Sequence, residues 1–217
     1  DGYKLGAPNR KTSIYPDAAL CMLMVDIEII KNSNGENSLH SVMKELFHEF
    51  ALKSRGYSEN DFENLCVKYG GAKVEEIFKN HIYGTKNYIP SLENALNLVG
   101  IELKEKKNAN LTAQYFGFVA LKENEKLIIK KVEPNSETDK NEIAVEDEIT
   151  EINGKKIKNN FSDILKDCKN KVTFKIKKKF SEKEITLTIG NYYKLLELVK
   201  MKEPSKKQLE FRKIWIS

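Results

Sequence analysis

Between Gly100 and Asn110 the spacing of apolar residues changes from about 3.6 to about 2. A chain with that change cannot be one kind of layer throughout. It calls for helices first and strands afterwards, an α+β organisation. The 217 residues suit two small domains better than one large one, and the change of period predicts a division into 1–108 and 109–217.

The first part reads as helical. Ala18 to Ile30 is apolar apart from Asp26 and Glu28, so this helix belongs in the middle of a sizeable core. Of that carboxylate pair, one is expected to cap or bridge to a neighbouring segment and the other to be exposed. Asn34-Gly35 supplies residues that tolerate a left-handed helix end. Ser38 is a candidate N-cap for a helix carrying Leu39, Val42, Met43, Leu46, Phe47 and Phe50 at helical spacing. Ser58 with Asp61 has the form of a capping box, and Gly70-Gly71 closes that helix. Two shorter helices, Val74 to Tyr83 and Ser91 to Val99, each end at a glycine.

In the second part strands are predicted at Tyr115–Leu121, Lys126–Val132, Glu148–Ile152, Val172–Phe180 and Glu184–Ile189. Asn153-Gly154 marks a hairpin turn, and Asn160 is placed to cap a short helix with Phe161, Ile164 and Leu165 inward. The run Lys175 to Lys179 falls in a strand pattern and reads as a solvated face that discourages edge pairing.

Charge is uneven: residues 1–108 hold 14 basic and 15 acidic side chains, the remainder 23 and 17. The basic excess is mostly lysine, without the arginine and aromatic clusters of nucleic-acid sites, so a nucleic-acid partner is not expected. The longest apolar run, Ala18 to Val25, is too short for a membrane span. Cys21, Cys66 and Cys168 are far apart and form no CxxC pair. They read as small buried hydrophobes in a reducing, cytoplasmic setting.

Chemistry is sparse. His48-Glu49 begins like a zinc-peptidase string, but Leu52 stands where the second histidine of a metal-binding helix would be. No metal site is expected in this chain, and no nucleophile motif is present. The binding constellation is Tyr115-Phe116-Gly117-Phe118, hydrophobic–Gly–hydrophobic at the head of a strand. Such a loop can aim backbone N–H groups at a peptide's terminal carboxylate while the following edge pairs with the ligand. The same residues read equally well as an aromatic-rich filling for a small core.

Two stretches resemble a known family. Ser13-Ile14-Tyr15-Pro16-Asp17-Ala18-Ala19-Leu20, then Val25-Asp26-Ile27-Glu28 and Gly35-Glu36-Asn37-Ser38-Leu39-His40-Ser41-Val42-Met43, resemble the segment downstream of the zinc site in the glycyl aminopeptidase family of metallopeptidases. Val132-Glu133-Pro134-Asn135-Ser136 and Glu146-Asp147-Glu148-Ile149-Thr150-Glu151-Ile152-Asn153-Gly154 resemble the core of a bacterial PDZ domain, which that family carries at its C-terminus. The resemblance implies the helical end of a thermolysin-like catalytic domain followed by a PDZ-like small β-barrel or sandwich. It implies a C-terminal portion of a zinc aminopeptidase, with the zinc ligands and general base upstream and no zinc in this chain. Peptide-bond hydrolysis at small N-terminal residues such as Gly would belong to the parent. The PDZ module would bind peptides or protein C-termini, and Tyr15 matches a tyrosine that stabilises the oxyanion in related zinc aminopeptidases. The sequence departs from the family at Asp17-Ala18, where Lys-Gly is usual. It departs again at Asn141-Glu142-Ile143 and Glu146-Asp147, where Ala-Gly-Leu and Gly-Asp are usual. The alternative is a non-catalytic PDZ-containing scaffold.

Overall fold

The computed structural model describes residues 14–157 and 161–216. The fold is α+β: N-terminal helices followed by an antiparallel sheet. Two compact units are formed, one from 14–104 with 197–216 and one from 105–196.

The helical unit is built on α1 (Ile14–Asn32), whose Met24, Val25, Ile27, Ile29 and Ile30 are fully buried. A helix apolar on all sides needs neighbours on all sides, and it has them. α2 (Leu39–Glu49), α3 (Glu59–Gly70), α4 (Ala72–Ile77) and α5 (Ile89–Leu98) all pack on it. The ends are fixed as the residue types dictate. Asn34 and Gly35 take left-handed φ values of 54° and 95°, and the Gly35 N–H donates to the Ile30 carbonyl at 2.7 Å. Ser58 and Asp61 form a reciprocal capping box, as do Ser38 and Ser41. The predicted helix from Val74 to Tyr83 is interrupted: α4 stops at Ile77 and the chain widens into a π turn over Phe78–Ile82. On α2 the apolar pattern overstates burial. Val42 and Leu46 are inside, whereas Met43 and Phe47 are 50% and 53% exposed.

Asp26 and Glu28 divide differently from expectation. Asp26 Oδ1 does bridge to a neighbouring segment, accepting the Leu39 N–H at 2.7 Å. Glu28, however, is buried, with Lys31 Nζ 3.3 Å from its carboxylate. Position 28 lies on the covered side of α1, whereas Lys31 on the same helix is exposed. Burial raises the Asp26 carboxyl above the usual carboxylate range, against the opposing pull of the Leu39 hydrogen bond. A carboxyl raised by folding holds its proton at pH values where the unfolded chain has released it. Its contribution therefore becomes more favourable as pH falls through that window, and its ionised form costs stability at neutral pH. Asp26→Asn keeps the acceptor without the charge and is expected to leave stability at pH 7 unchanged or raised. Asp26→Ala leaves the Leu39 N–H unpaired and is expected to cost about 1–2 kcal/mol. Urea titrations of both variants between pH 4 and 7 measure the difference.

The sheet unit begins with a difference from the sequence reading. The predicted strand Tyr115–Leu121 is divided between a helix, α6 (Leu111–Phe116), and a strand, β2 (Phe118–Glu123). Asn110 is the reason. Its Oδ1 accepts the Ala113 N–H at 3.1 Å and the Thr112 hydroxyl at 2.7 Å, starting a helical turn that Gly117 ends at φ 79°. β3 (Lys126–Val132), α7 (Glu137–Lys140), β4 (Glu148–Ile152), β5 (Lys155–Lys156), α8 (Phe161–Lys166), β6 (Lys171–Lys177) and β7 (Glu182–Thr188) follow. The expected Asn160 cap lies outside the described residues, as does the side chain of Phe161. The strand order is β2-β3-β4-β6-β7, all antiparallel, with β5 pairing β4 through the Asn153-Gly154 turn. Both turn residues have positive φ, 50° and 72°, as that hairpin requires. Alternation along β3 and β6 sends Leu127, Ile129, Val172, Phe174 and Ile176 into one core, and a register shift in β4 between Ile149 and Glu151 brings both Ile149 and Ile152 to it.

The chain then passes through β8 (Leu195–Lys200), which pairs with β1 (Ile101–Lys106), into α9 (Lys206–Trp215). Ser205 and Gln208 make a third capping box, and the Gln208 amide donates to the Asn97 carbonyl at 2.6 Å. Phe211 and Trp215 join the core built around α1.

Candidate functional site: an open sheet edge

Among the described residues β2 is paired on one side only, to β3. A strand with one partner turns every second N–H and C=O outward, available to another extended chain. Phe118 and Ala120 point into the core, which leaves Val119 half-buried and Leu121 52% exposed on the opposite face of this edge.

The four residues singled out as a binding loop all lie at the head of that edge. The side chains of Phe116 and Phe118 are interior, with the ring of Phe174 5.0 and 5.6 Å from theirs. Tyr115 is half-buried and packs edge-on to Phe116. Gly117 is required twice over. Its φ is left-handed, and a Cβ there would stand 2.4 Å from Ser136 Cβ and 2.8 Å from Ser136 Oγ. The close approach that glycine permits here is thus to the Ser136 side chain. Ser136 in turn caps α7, accepting the Asp139 N–H, and Thr138 Oγ1 donates to the Phe116 carbonyl at 2.6 Å. One further element carries no sequence signal. The stretch after β7 returns to this loop, where the Gly190 and Tyr192 N–H groups donate to the Tyr115 and Gln114 carbonyls at 2.8 and 2.7 Å.

The turn that departs from the family pattern keeps the geometry glycine would give. Glu142 and Glu146 both adopt positive φ, 57° and 74°. Asp147 Oδ2 stabilises the turn by accepting the Ala144 N–H at 2.9 Å and lies 3.3 Å from Lys178 Nζ. A left-handed L-residue costs roughly 1–2 kcal/mol, and glycine's extra backbone freedom returns about 0.5–1 of that. Glu142→Gly is therefore expected to stabilise the sheet unit by about 0.5–1 kcal/mol, seen as slower amide exchange in β4.

Within the lysine run Lys175 and Lys178 pair with nearby carboxylates. Lys175 Nζ lies 3.5 Å from Glu151 and 3.6 Å from Glu182.

In the helical unit Tyr15 is 80% exposed in the first turn of α1. His48 is exposed on α2. His81 is held by Ser91 Oγ at 2.9 Å and the Lys86 carbonyl at 3.1 Å, which ties down the loop between them. No group of three or more His, Cys, Asp or Glu side chains able to hold a metal is found among the described residues. Nor is any described helix long and apolar enough to cross a membrane. Cys21 and Cys66 are buried, and burial pushes the Cys66 thiol up to about 12.

No curated protein matches the chain. Its fold is similar to part of a solved structure, an aminopeptidase N family protein from Idiomarina loihiensis. The TM-score is 0.77 at 21% identity, over 97% of this chain and 37% of that one. At that identity the likeness is one of fold, and the chain spans little more than a third of the relative's length. Residues 91–177 match the family model for the PDZ domain, so the open edge of β2 is the edge of a PDZ sheet.

Proposed function

We propose that this chain is part of a zinc-dependent aminopeptidase and that its PDZ module holds peptide segments against β2. The observation that carries the peptide-binding reading is the unpaired edge of β2 within the residues that match the PDZ model. Main-chain pairing supplies affinity at such an edge, and side-chain contacts on its two faces supply preference. Amide exchange of the full chain with and without peptide tests it. Protection confined to 118–123 is the expected result, and unchanged exchange there removes the reading.

The aminopeptidase reading is supported by the likeness of fold over nearly the whole chain and by the exposed phenol at the start of α1. The described residues offer no ligand set for zinc; on this reading the metal would be held by residues upstream of them in the parent. When bound, zinc would act as a Lewis acid on the scissile carbonyl and its attacking water. Tyr15 would contribute a hydrogen-bond donor to the oxygen that gains charge. In the full-length protein Tyr15→Phe is then expected to lower kcat about 10²–10³-fold with little change in KM. Unchanged turnover would withdraw Tyr15 from the site. A parent without an HExxH string would favour the non-catalytic scaffold instead.

A further inference from the structure

Recognition of a free C-terminus by a sheet edge requires unpaired N–H groups, or a cation, where the carboxylate would lie. In this chain that place is the segment leading into β2, and its donors as far as Gly117 are already engaged, which leaves the Phe118 N–H at the open edge. The Ala113 N–H goes to Asn110 Oδ1 at 3.1 Å, and the Gln114 N–H to the Asn110 carbonyl at 3.0 Å. Tyr115 and Phe116 lie within α6, and the Gly117 N–H donates back to the Ala113 carbonyl at 3.2 Å.

The charge is unfavourable as well. The segment ends in a row of carbonyls, Gln114 to Gly117, at the C-terminal end of a helical turn, where partial charge is negative. Those carbonyls are held by Tyr192, Gly190, Thr138 and Glu133. Leu111 to Phe116 contains no Lys or Arg, and the Glu133 side chain lies beside Gly117, its Cβ 3.2 Å from where a Cβ on that glycine would stand.

Resting on the peptide-binding reading above, we infer that the β2 edge takes internal extended segments of a polypeptide, without need of a free carboxylate. A segment that continues in both directions needs no charged anchor at the α6 end. Val119 and Leu121 share one face of the edge, so the segment's residues on that face are apolar or β-branched at alternate positions.

The test uses the full chain and a pool of peptides about ten residues long with Val, Ile or Leu at alternate positions. Each peptide is made in three forms: free carboxylate, C-terminal amide, and embedded between Gly-Ser extensions. Fluorescence anisotropy gives the affinities, and amide exchange locates the contact. The three forms are expected to bind within about twofold of one another and to protect β2. A loss of about tenfold or more on amidation overturns the inference while leaving peptide binding intact. Failure of all three forms to protect β2 overturns the underlying reading, and the inference with it.

Discussion

Phe174→Ala is expected to destabilise the PDZ unit by about 3–5 kcal/mol, a large share of the 5–15 kcal/mol typical of a whole domain. Phe174 is fully buried at the centre of β6, and its ring meets both Phe116 and Phe118 edge-on. Truncation removes apolar area and leaves a void between elements that the sheet holds in place. It also frees the two rings that set the angle between α6 and β2, so peptide binding should fall with stability. The readout has to be local. The only tryptophan, Trp215, packs in the helical core, and its fluorescence reports that unit. Amide exchange over 172–176 is the appropriate measure, with accelerated exchange expected there.

Gly117→Ala should cost about 2–5 kcal/mol. The left-handed backbone alone accounts for roughly 1–2 kcal/mol, and the overlap with Ser136 adds roughly 1–3. The companion variant is Ser136→Gly. It removes the side chain that the new methyl would meet, so the double variant should lose less than the sum of the two single changes. An additive pair would mean that Ser136 does not constrain Gly117. Urea titration followed by amide exchange in β2 gives the three values needed.

Local rules made much of this fold legible. The capping boxes at Ser58 and the Asn153-Gly154 turn follow from side-chain hydrogen bonding and permitted φ, and both are present. The buried α1 followed from its apolar character on nearly every side. What escaped was decided by tertiary context. Leu111 to Phe116 has the aromatic character of a strand, and its helix depends on Asn110 and on Gly117, a six-residue signal that alternation hides. Met43 and Phe47 share the period of Val42 and Leu46, but that period gives spacing and not how wide a face is covered. Of the candidate site, the position of the edge was visible in Tyr115–Phe118. The engagement of its N–H groups was not, because it depends on the helical turn that Asn110 starts. That of its carbonyls was not, because the Gly190 and Tyr192 N–H groups that hold two of them lie more than seventy residues away in sequence. The left-handed φ of Glu142 and Glu146 shows that a turn can keep its shape when its glycines are replaced, at a cost in strain.

The unpaired side of β2 has a further consequence. An edge that reads main chain before side chain will also accept a second copy of itself, so an empty site invites fibre-like growth. Two features of the strand oppose this. The β2–β3 register slips between Val119 and Ala120, which twists the edge away from a flat template. Its far end carries Lys122 and Glu123, and a copy stacked antiparallel and out of step would bring like charges together. Those two residues act as gatekeepers, and neutralising both would make the empty protein the more prone to precipitate.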